Sequence, residues 1–125
     1  MLIDINKSYL EVVRGDTFYM PLVLNSGTRE YFEPYVLGNC DHLYIGIMKP
    51  GQPFEHATVR CALDCHSPRD SFGNSVFKLN HEDTKNLEPG KYYMTIKFVH
   101  NDDVTTLINQ KLFYVTGSPP HCEGD

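Results

Sequence analysis

The chain has 125 residues, of which 41% are hydrophobic and 22% are charged, so its composition is that of one folded domain. Its 16 acidic residues outnumber its 11 basic ones, and a net charge of −5 argues against nucleic acid as the main partner, because phosphate recognition needs a basic face. The apolar runs are too short to span a membrane, and the N-terminus lacks the apolar block of a signal peptide. We therefore expect synthesis in a cytoplasm, a reducing compartment, with free thiols as the default state of the four cysteines.

Alternating apolar and polar residues predict strands along the first half of the chain. A short strand at 9–14 ends at the turn pair Gly15-Asp16, and a second strand over 17–24 follows it. Pro21 cannot donate a ladder hydrogen bond, so the second strand is expected at a sheet edge or with a bulge. Residues 25–41 are predicted to form a loop that carries three aromatic side chains, Tyr31, Phe32 and Tyr35.

The second half continues the same pattern. Strands are predicted over 42–48, 57–63 and 75–79, with a polar loop over 67–74 between the last two. One short helical turn is expected near residues 81–87, capped by Asn80, with Asp83 bonding back to the cap. Two long strands over 91–100 and 104–115 are joined by a tight polar turn, which makes them antiparallel.

Short strands separated by turn residues predict an all-β, antiparallel sandwich of about seven to nine strands, with a small barrel as the alternative. We expect the sandwich to span residues 9–117, between an N-terminal arm over 1–8 and a flexible C-terminal tail over 118–125. The arms are candidates for segments that order on docking, so deleting 1–7 is expected to leave the melting temperature nearly unchanged. The predicted core comprises Phe18, Met20, Leu22, Leu43, Ile45, Ile47, Val59, Leu63, Phe77, Leu79, Leu87, Tyr92, Met94, Ile96 and Phe98.

The residues that could carry chemistry form no recognisable site. Cysteines and histidines cluster loosely around Cys40-x-His42 and Cys61-x-x-x-Cys65-His66, but their spacing matches no structural zinc pattern. No nucleophile elbow, metalloprotease motif or phosphate-binding loop is present. We therefore predict a non-enzymatic protein with no metal and no cofactor.

The tripeptide Arg14-Gly15-Asp16 has two interpretations. It matches the motif that integrin receptors read from exposed loops, and it is also ordinary turn chemistry between two strands. Matches this short arise by chance, so we favour the turn.

A longer segment, Phe77 to Tyr93, resembles a known family. The segment consists of a strand, a turn with the pattern Asp83-Thr84-x-x-Leu87, and the start of a second strand with the pattern Pro89-Gly90-x-Tyr92. This order of elements resembles the N-terminal immunoglobulin-like domain of siphophage upper baseplate proteins. Arg14 to Thr17 resembles the opening segment of those domains. The resemblance covers about residues 9–117 and implies assembly rather than catalysis.

The expected function is therefore that of a structural module of a bacteriophage particle, in the tail, baseplate, neck or head surface. Its expected partners are other virion proteins, and we expect a homo-oligomer or ordered array, with no nucleic acid and no membrane partner. The alternative is a carbohydrate-binding or adhesive sandwich, which would display a row of exposed aromatics on one sheet face. The candidate interaction residues are Tyr31, Phe32, Tyr35 and Tyr93.

Overall fold

The computed structural model of the protein describes residues 1–5 and 7–117. That part of the chain contains eight strands, one 3₁₀ turn at Phe54–His56 and one short helix, so the predicted all-β fold is confirmed. The elements are β1 (Leu2–Asp4), β2 (Tyr9–Val13), β3 (Phe18–Asn25), β4 (Asp41–Met48), β5 (Val59–Leu63), β6 (Ser75–Leu79), α1 (His81–Lys85), β7 (Gly90–His100) and β8 (Asp103–Thr116).

The strands form two sheets, in the orders β1-β3-β6 and β2-β8-β7-β4-β5. All neighbouring strands are antiparallel except β2 and β8, which run parallel from the pair Tyr9–Leu112 to the pair Val13–Thr116. The N-terminal segment thus places β1 in one sheet and β2 in the other. Two sheets with a shared hydrophobic core make the fold a β-sandwich.

The core lies between the two sheets. Twelve of the fifteen predicted core residues are buried, and Phe18, Met20 and Val59 pack against the core while partly exposed. The strand alternation revealed these residues because one face of each strand is apolar. The prediction omitted six further members of the buried core cluster: Leu10, Val12, Leu24, Leu37, Phe113 and Val115.

Pro21 lies in the half of β3 that has one described neighbour. β6 pairs with β3 from Phe18 to Leu22, whereas β1 pairs with it only from Val23 to Asn25. The edge position predicted from the missing N–H therefore holds for the first half of this strand.

The start of β7 carries a tyrosine corner. Tyr92 is buried, and its hydroxyl donates a 2.7 Å hydrogen bond to the carbonyl oxygen of Glu88, four residues upstream. Met94, two residues further along β7, is fully buried, so a hydrogen bond and apolar packing together hold the start of this strand.

The N-terminal residues belong to the sandwich, which corrects the predicted arm over 1–8. Ile3 pairs with Leu24. The side chains of Met1, Ile3 and Ile5 are partly buried and pack against the core. We now expect deletion of residues 1–7 to lower the melting temperature, because it uncovers Leu24 and removes a sheet strand; thermal unfolding of the truncated chain tests this. The predicted tail over 118–125 lies outside the described residues.

Candidate interaction surface

Three connections meet at one end of the sandwich, and we call this end the loop end. They are residues 26–40 between β3 and β4, residues 64–74 between β5 and β6, and the turn 101–102 between β7 and β8. Strand register brings them together, since Asp41 pairs with His100 and Leu43 pairs with Leu63. The Asn101 N–H also donates to the carbonyl oxygen of Cys40 over 3.1 Å.

Exposed apolar side chains are concentrated at the loop end. Phe72 and Tyr31 are 88% and 75% exposed, the two highest values for large hydrophobic residues in the described chain. Three further exposed apolar residues lie there: Phe32, Val36 and Val104, the last at the start of β8. Clustered aromatics of this kind are typical of binding surfaces, whereas single exposed apolar residues carry no such meaning.

The opposite end of the sandwich is different. It is formed by residues 14–17, 49–58 and 80–89, and none of the large hydrophobics exposed in the described part of the chain lies there. Among its apolar residues, Ala57 and Leu87 are buried, and Phe54 is half-buried with the Lys97 ammonium 4.7 Å from its ring centre. The remaining exposed aromatics, Tyr9, Tyr19 and Tyr44, lie on strands.

The first loop is held in one conformation by the buried Asn25. Its side-chain oxygen accepts hydrogen bonds from the N–H groups of Gly27 and Glu33, and its amide nitrogen donates to the carbonyl oxygen of Thr28. The Tyr31 N–H donates in turn to the Thr28 hydroxyl over 3.1 Å. The loop therefore presents the exposed ring of Tyr31 from a fixed backbone.

A buried carboxylate ties the first loop to the β7–β8 hairpin. Asp41 is 1% exposed and accepts hydrogen bonds from the Tyr35 hydroxyl and from the Gly38 N–H, the latter at 2.7 Å. The His100 Nδ1 lies 2.5 Å from the other carboxylate oxygen. Burial alone would raise the pKa of Asp41, but these hydrogen bonds outweigh it and lower the pKa below its ordinary value.

The second loop is organised by two aspartates. The Asp64 carboxylate accepts from the His66 N–H, and the Asp70 carboxylate accepts from the N–H groups of Phe72 and Asn74. These bonds lower the pKa of both aspartates, for Asp70 against the opposing effect of desolvation. The loop tip thus displays Phe72 to solvent from a rigid turn.

A cleft of about 690 Å³ opens beside the loop end, between β1 and the first half of β8. Register shifts in the β7–β8 pair fall on both sides of Ile108, and both Ile108 and Leu107 line the cleft. A β-bulge changes the direction in which the neighbouring side chains point, which accounts for two successive residues of β8 lining the same cleft. The other lining residues are Leu2, Ile3, Asp4, Ile5, Asn25, Arg29 and Phe32.

The structure separates the four candidate interaction residues into three groups. Tyr31 and Phe32 are exposed at the loop end. Tyr35 is half-buried, with its ring edge-on to Phe98 and its hydroxyl on Asp41, so it supports the loop from within. Tyr93 lies on the outer face of the five-stranded sheet, half-buried, with the Lys91 ammonium 5.4 Å from its ring centre.

Phe72 was missed because the pattern of residues 67–74 predicted only a polar loop. Val36 was missed because only the aromatic residues of the loop 25–41 were singled out, and Val104 because it lies in a predicted strand. The available signal was an aromatic residue between Asp70 and Gly73, two residues that favour a tight turn. A large apolar side chain at such a tip cannot reach the core.

The outer face of the five-stranded sheet carries a smaller group of tyrosines. The rings of Tyr9 and Tyr114 are packed edge to face with their centres 5.5 Å apart, and Tyr93 lies on the neighbouring β7. Tyr9 and, on β4 of the same face, Tyr44 are exposed, at 47% and 39%, whereas Tyr93 and Tyr114 are half-buried. Both exposed rings are less accessible than those of Phe72 and Tyr31 at the loop end.

The Arg14-Gly15-Asp16 turn is locked against α1. The buried hydroxyl of Thr84 accepts from the Gly15 N–H at 3.0 Å and donates to the Asp16 carbonyl oxygen at 2.6 Å. The Arg14 Nε donates to the carbonyl oxygen of Lys85. Gly15 has a positive φ of 92°, as a turn glycine does. These contacts favour the turn interpretation of the tripeptide.

Thr84→Val should destabilise the fold by about 1–3 kcal/mol, because the isosteric side chain leaves the Gly15 N–H and the Asp16 carbonyl without a partner. Amide exchange at Gly15 should accelerate in this variant. Thr84→Ser, which keeps the hydroxyl, is the control and should retain slow exchange. Equal exchange rates in both variants would contradict the assigned hydrogen bonds.

No group of three or more histidine, cysteine, aspartate or glutamate side chains is placed to hold a metal ion within residues 1–5 and 7–117. Cys40, Cys61 and Cys65 are free thiols, and burial raises the pKa of the Cys61 thiol. No helix of the described chain is long and apolar enough to cross a membrane.

Fold and surface together define an all-β sandwich with an aromatic loop end. No protein-family model matches the sequence, and no curated protein matches it.

Proposed function

We propose that the protein is a non-enzymatic, protein-binding module of a bacteriophage particle, and that it binds through its loop end. The observation that carries the binding role is the set of exposed apolar side chains held there on rigid loops. Fixed loops lose little conformational entropy on association, which favours affinity. Exposed aromatics that become buried are the side chains that most often dominate binding energy.

Assignment to a phage particle rests on the resemblance of residues 9–117 to the siphophage baseplate domain. Two segments carry that resemblance, Arg14–Thr17 and Asp83–Tyr92. They contact each other through Thr84, so the resemblance follows one packed unit rather than two unrelated stretches. A module of this kind gains its position through repeated contacts with virion proteins or with its own copies.

Mass spectrometry of purified particles tests the assignment, with the protein expected at a fixed stoichiometry to the major structural proteins. A Phe72→Ala, Tyr31→Ala double variant should be depleted from particles, while Tyr19→Ala, which removes an exposed ring from a strand face, should incorporate normally. Particles that lack the wild-type protein would contradict the phage assignment.

A glycan array run with the isolated domain distinguishes the carbohydrate-binding alternative. The proposed function predicts no glycan binding. Specific glycan binding that is lost on substitution of Tyr9 would favour the alternative and place its site on the outer sheet face.

A further inference from the structure

We propose that the partner of the loop end is a different protein, which presents an apolar pocket rimmed by lysine and arginine. The inference rests on the proposed binding role of the loop end, and it adds the chemistry of the partner. It combines two observations, an excess of carboxylates around the three loops and the protruding ring of Phe72, the most exposed large hydrophobic side chain of the described chain.

The charges of the loop end are strongly unequal. This end has two arginines, Arg29 and Arg69, and six carboxylates in addition to the buried Asp41. The excess of four negative charges compares with a net charge of −5 for the whole chain. The carboxylates are Glu30, Glu33, Asp64, Asp70, Asp102 and Asp103.

The opposite end carries a smaller excess of negative charge. With the strand residue next to each loop included at both ends, the loop end covers 25–41, 63–75 and 100–103 and the opposite end covers 13–18, 48–59 and 79–90, where three basic residues stand beside five acidic ones. A partner steered by charge is therefore drawn more strongly to the loop end, where acidic side chains surround the exposed rings.

Phe72 is the natural anchor. Its 88% exposure means that nearly the whole side chain is available, and the hydrogen bonds of Asp70 fix the backbone beneath it. A protruding aromatic ring on a fixed backbone fits a pocket rather than a flat surface. Tyr31 and Phe32 provide additional apolar contact.

The same charges argue against two other occupants. Two copies that met loop end to loop end would bring two acidic rims together, which costs energy through like-charge repulsion. Nucleic acid is repelled for the same reason. A basic rim on another protein matches both the sign and the position of the carboxylates.

Site-specific photo-cross-linking in producing cells tests the proposal. The photoreactive p-benzoylphenylalanine replaces Phe72 in the full chain, and a control chain carries it in place of Tyr19 on the strand face. Because Phe72 is at a loop tip, the substitution should leave the melting temperature unchanged. We expect the position of Phe72, and not that of Tyr19, to cross-link one different protein at a segment with an excess of lysine and arginine.

Matched charge reversals then test the rim with the purified partner. Glu30→Lys with Asp102→Lys changes the loop end, and Glu55→Lys with Glu82→Lys makes the same change in net charge at the opposite end. We expect the first pair and Phe72→Ala each to weaken binding about tenfold or more, and the control pair by less than about twofold. High salt should reduce the difference between the two pairs.

Several results would overturn the proposal: a cross-link to a second copy, a cross-linked segment without excess basic residues, no cross-link from position 72, or equal effects of the two charge pairs. Co-sedimentation of the cross-linked protein with particles is scored separately. A basic partner that is absent from particles would support the partner chemistry and contradict the phage assignment.

Discussion

Ile96→Ala is expected to lower the free energy of unfolding by about 2–5 kcal/mol, whereas Lys97→Ala should lower it by less than about 1 kcal/mol. Ile96 is fully buried on the inner face of β7, opposite Ile45 and Ile108. Lys97 points to the other face, where its ammonium lies 4.7 Å from the ring centre of Phe54. Removing Ile96 leaves a cavity, while removing Lys97 loses one half-buried cation–π contact.

Denaturant unfolding of the two variants checks this prediction. The neighbouring positions share one strand, so propensity and local backbone effects are similar. Equal losses of stability would mean that the faces of β7 are assigned in reverse. An unchanged slope of the transition would show that the denatured states are comparable.

Asp41→Ala is expected to destabilise the protein by about 3–5 kcal/mol, because it removes the buried acceptor shared by Tyr35, Gly38 and His100. Asp41→Asn retains an acceptor oxygen and should cost less. Asp103→Asn, at an exposed position near the same hairpin, is the control and should have little effect. Chemical unfolding at neutral pH measures all three.

The pH dependence of stability gives the same network a distinct signature. The pKa of Asp41 is lowered in the folded state, so its contribution is present above about pH 4 and is lost as the pH falls below that value. The hydrogen bond to Asp41, burial and the negative charge of Asp41 raise the pKa of Tyr35 from 10.0 to about 12. The tyrosine contribution is therefore present below pH 10 and is lost as the pH rises towards 12.

Asp41→Asn removes the carboxylate on which both effects depend. The difference in unfolding free energy between wild type and variant should be largest between about pH 4 and pH 10. It should become smaller as the pH falls below about 4 and as the pH rises above 10. A difference that stays constant from acid to alkaline pH would contradict the assigned network.

Sequence alternation predicted most of the fold because period-two patterning directly reports which side of a strand is buried. It succeeded for β4 and β7, whose inner faces are apolar from Leu43 to Ile47 and from Tyr92 to Phe98. The short helix was also predicted, since Asp83 accepts from the Asn80 N–H as its spacing indicated. β1 was missed because three residues are too few to show a period, and its pairing with β3 depends on tertiary contact.

The interaction surface was only partly predictable. Tyr31 and Phe32 were identified as aromatics in a loop, but nothing in the sequence showed that Tyr35 turns inward to the buried Asp41. The convergence of Phe72 and Tyr31 depends on sheet order, which local patterning does not encode. A sequence pattern predicts faces, whereas a surface built from three loops requires the topology.

Hydroxyl-radical footprinting of the protein, free and within purified particles, tests the role of the loop end most directly. Oxidation of Phe72, Tyr31 and Phe32 should fall strongly on incorporation, while Tyr19 on the strand face should stay as reactive as in the free protein. Unchanged oxidation of these three rings, with protection at Tyr9 or Tyr19 instead, would contradict binding through the loop end.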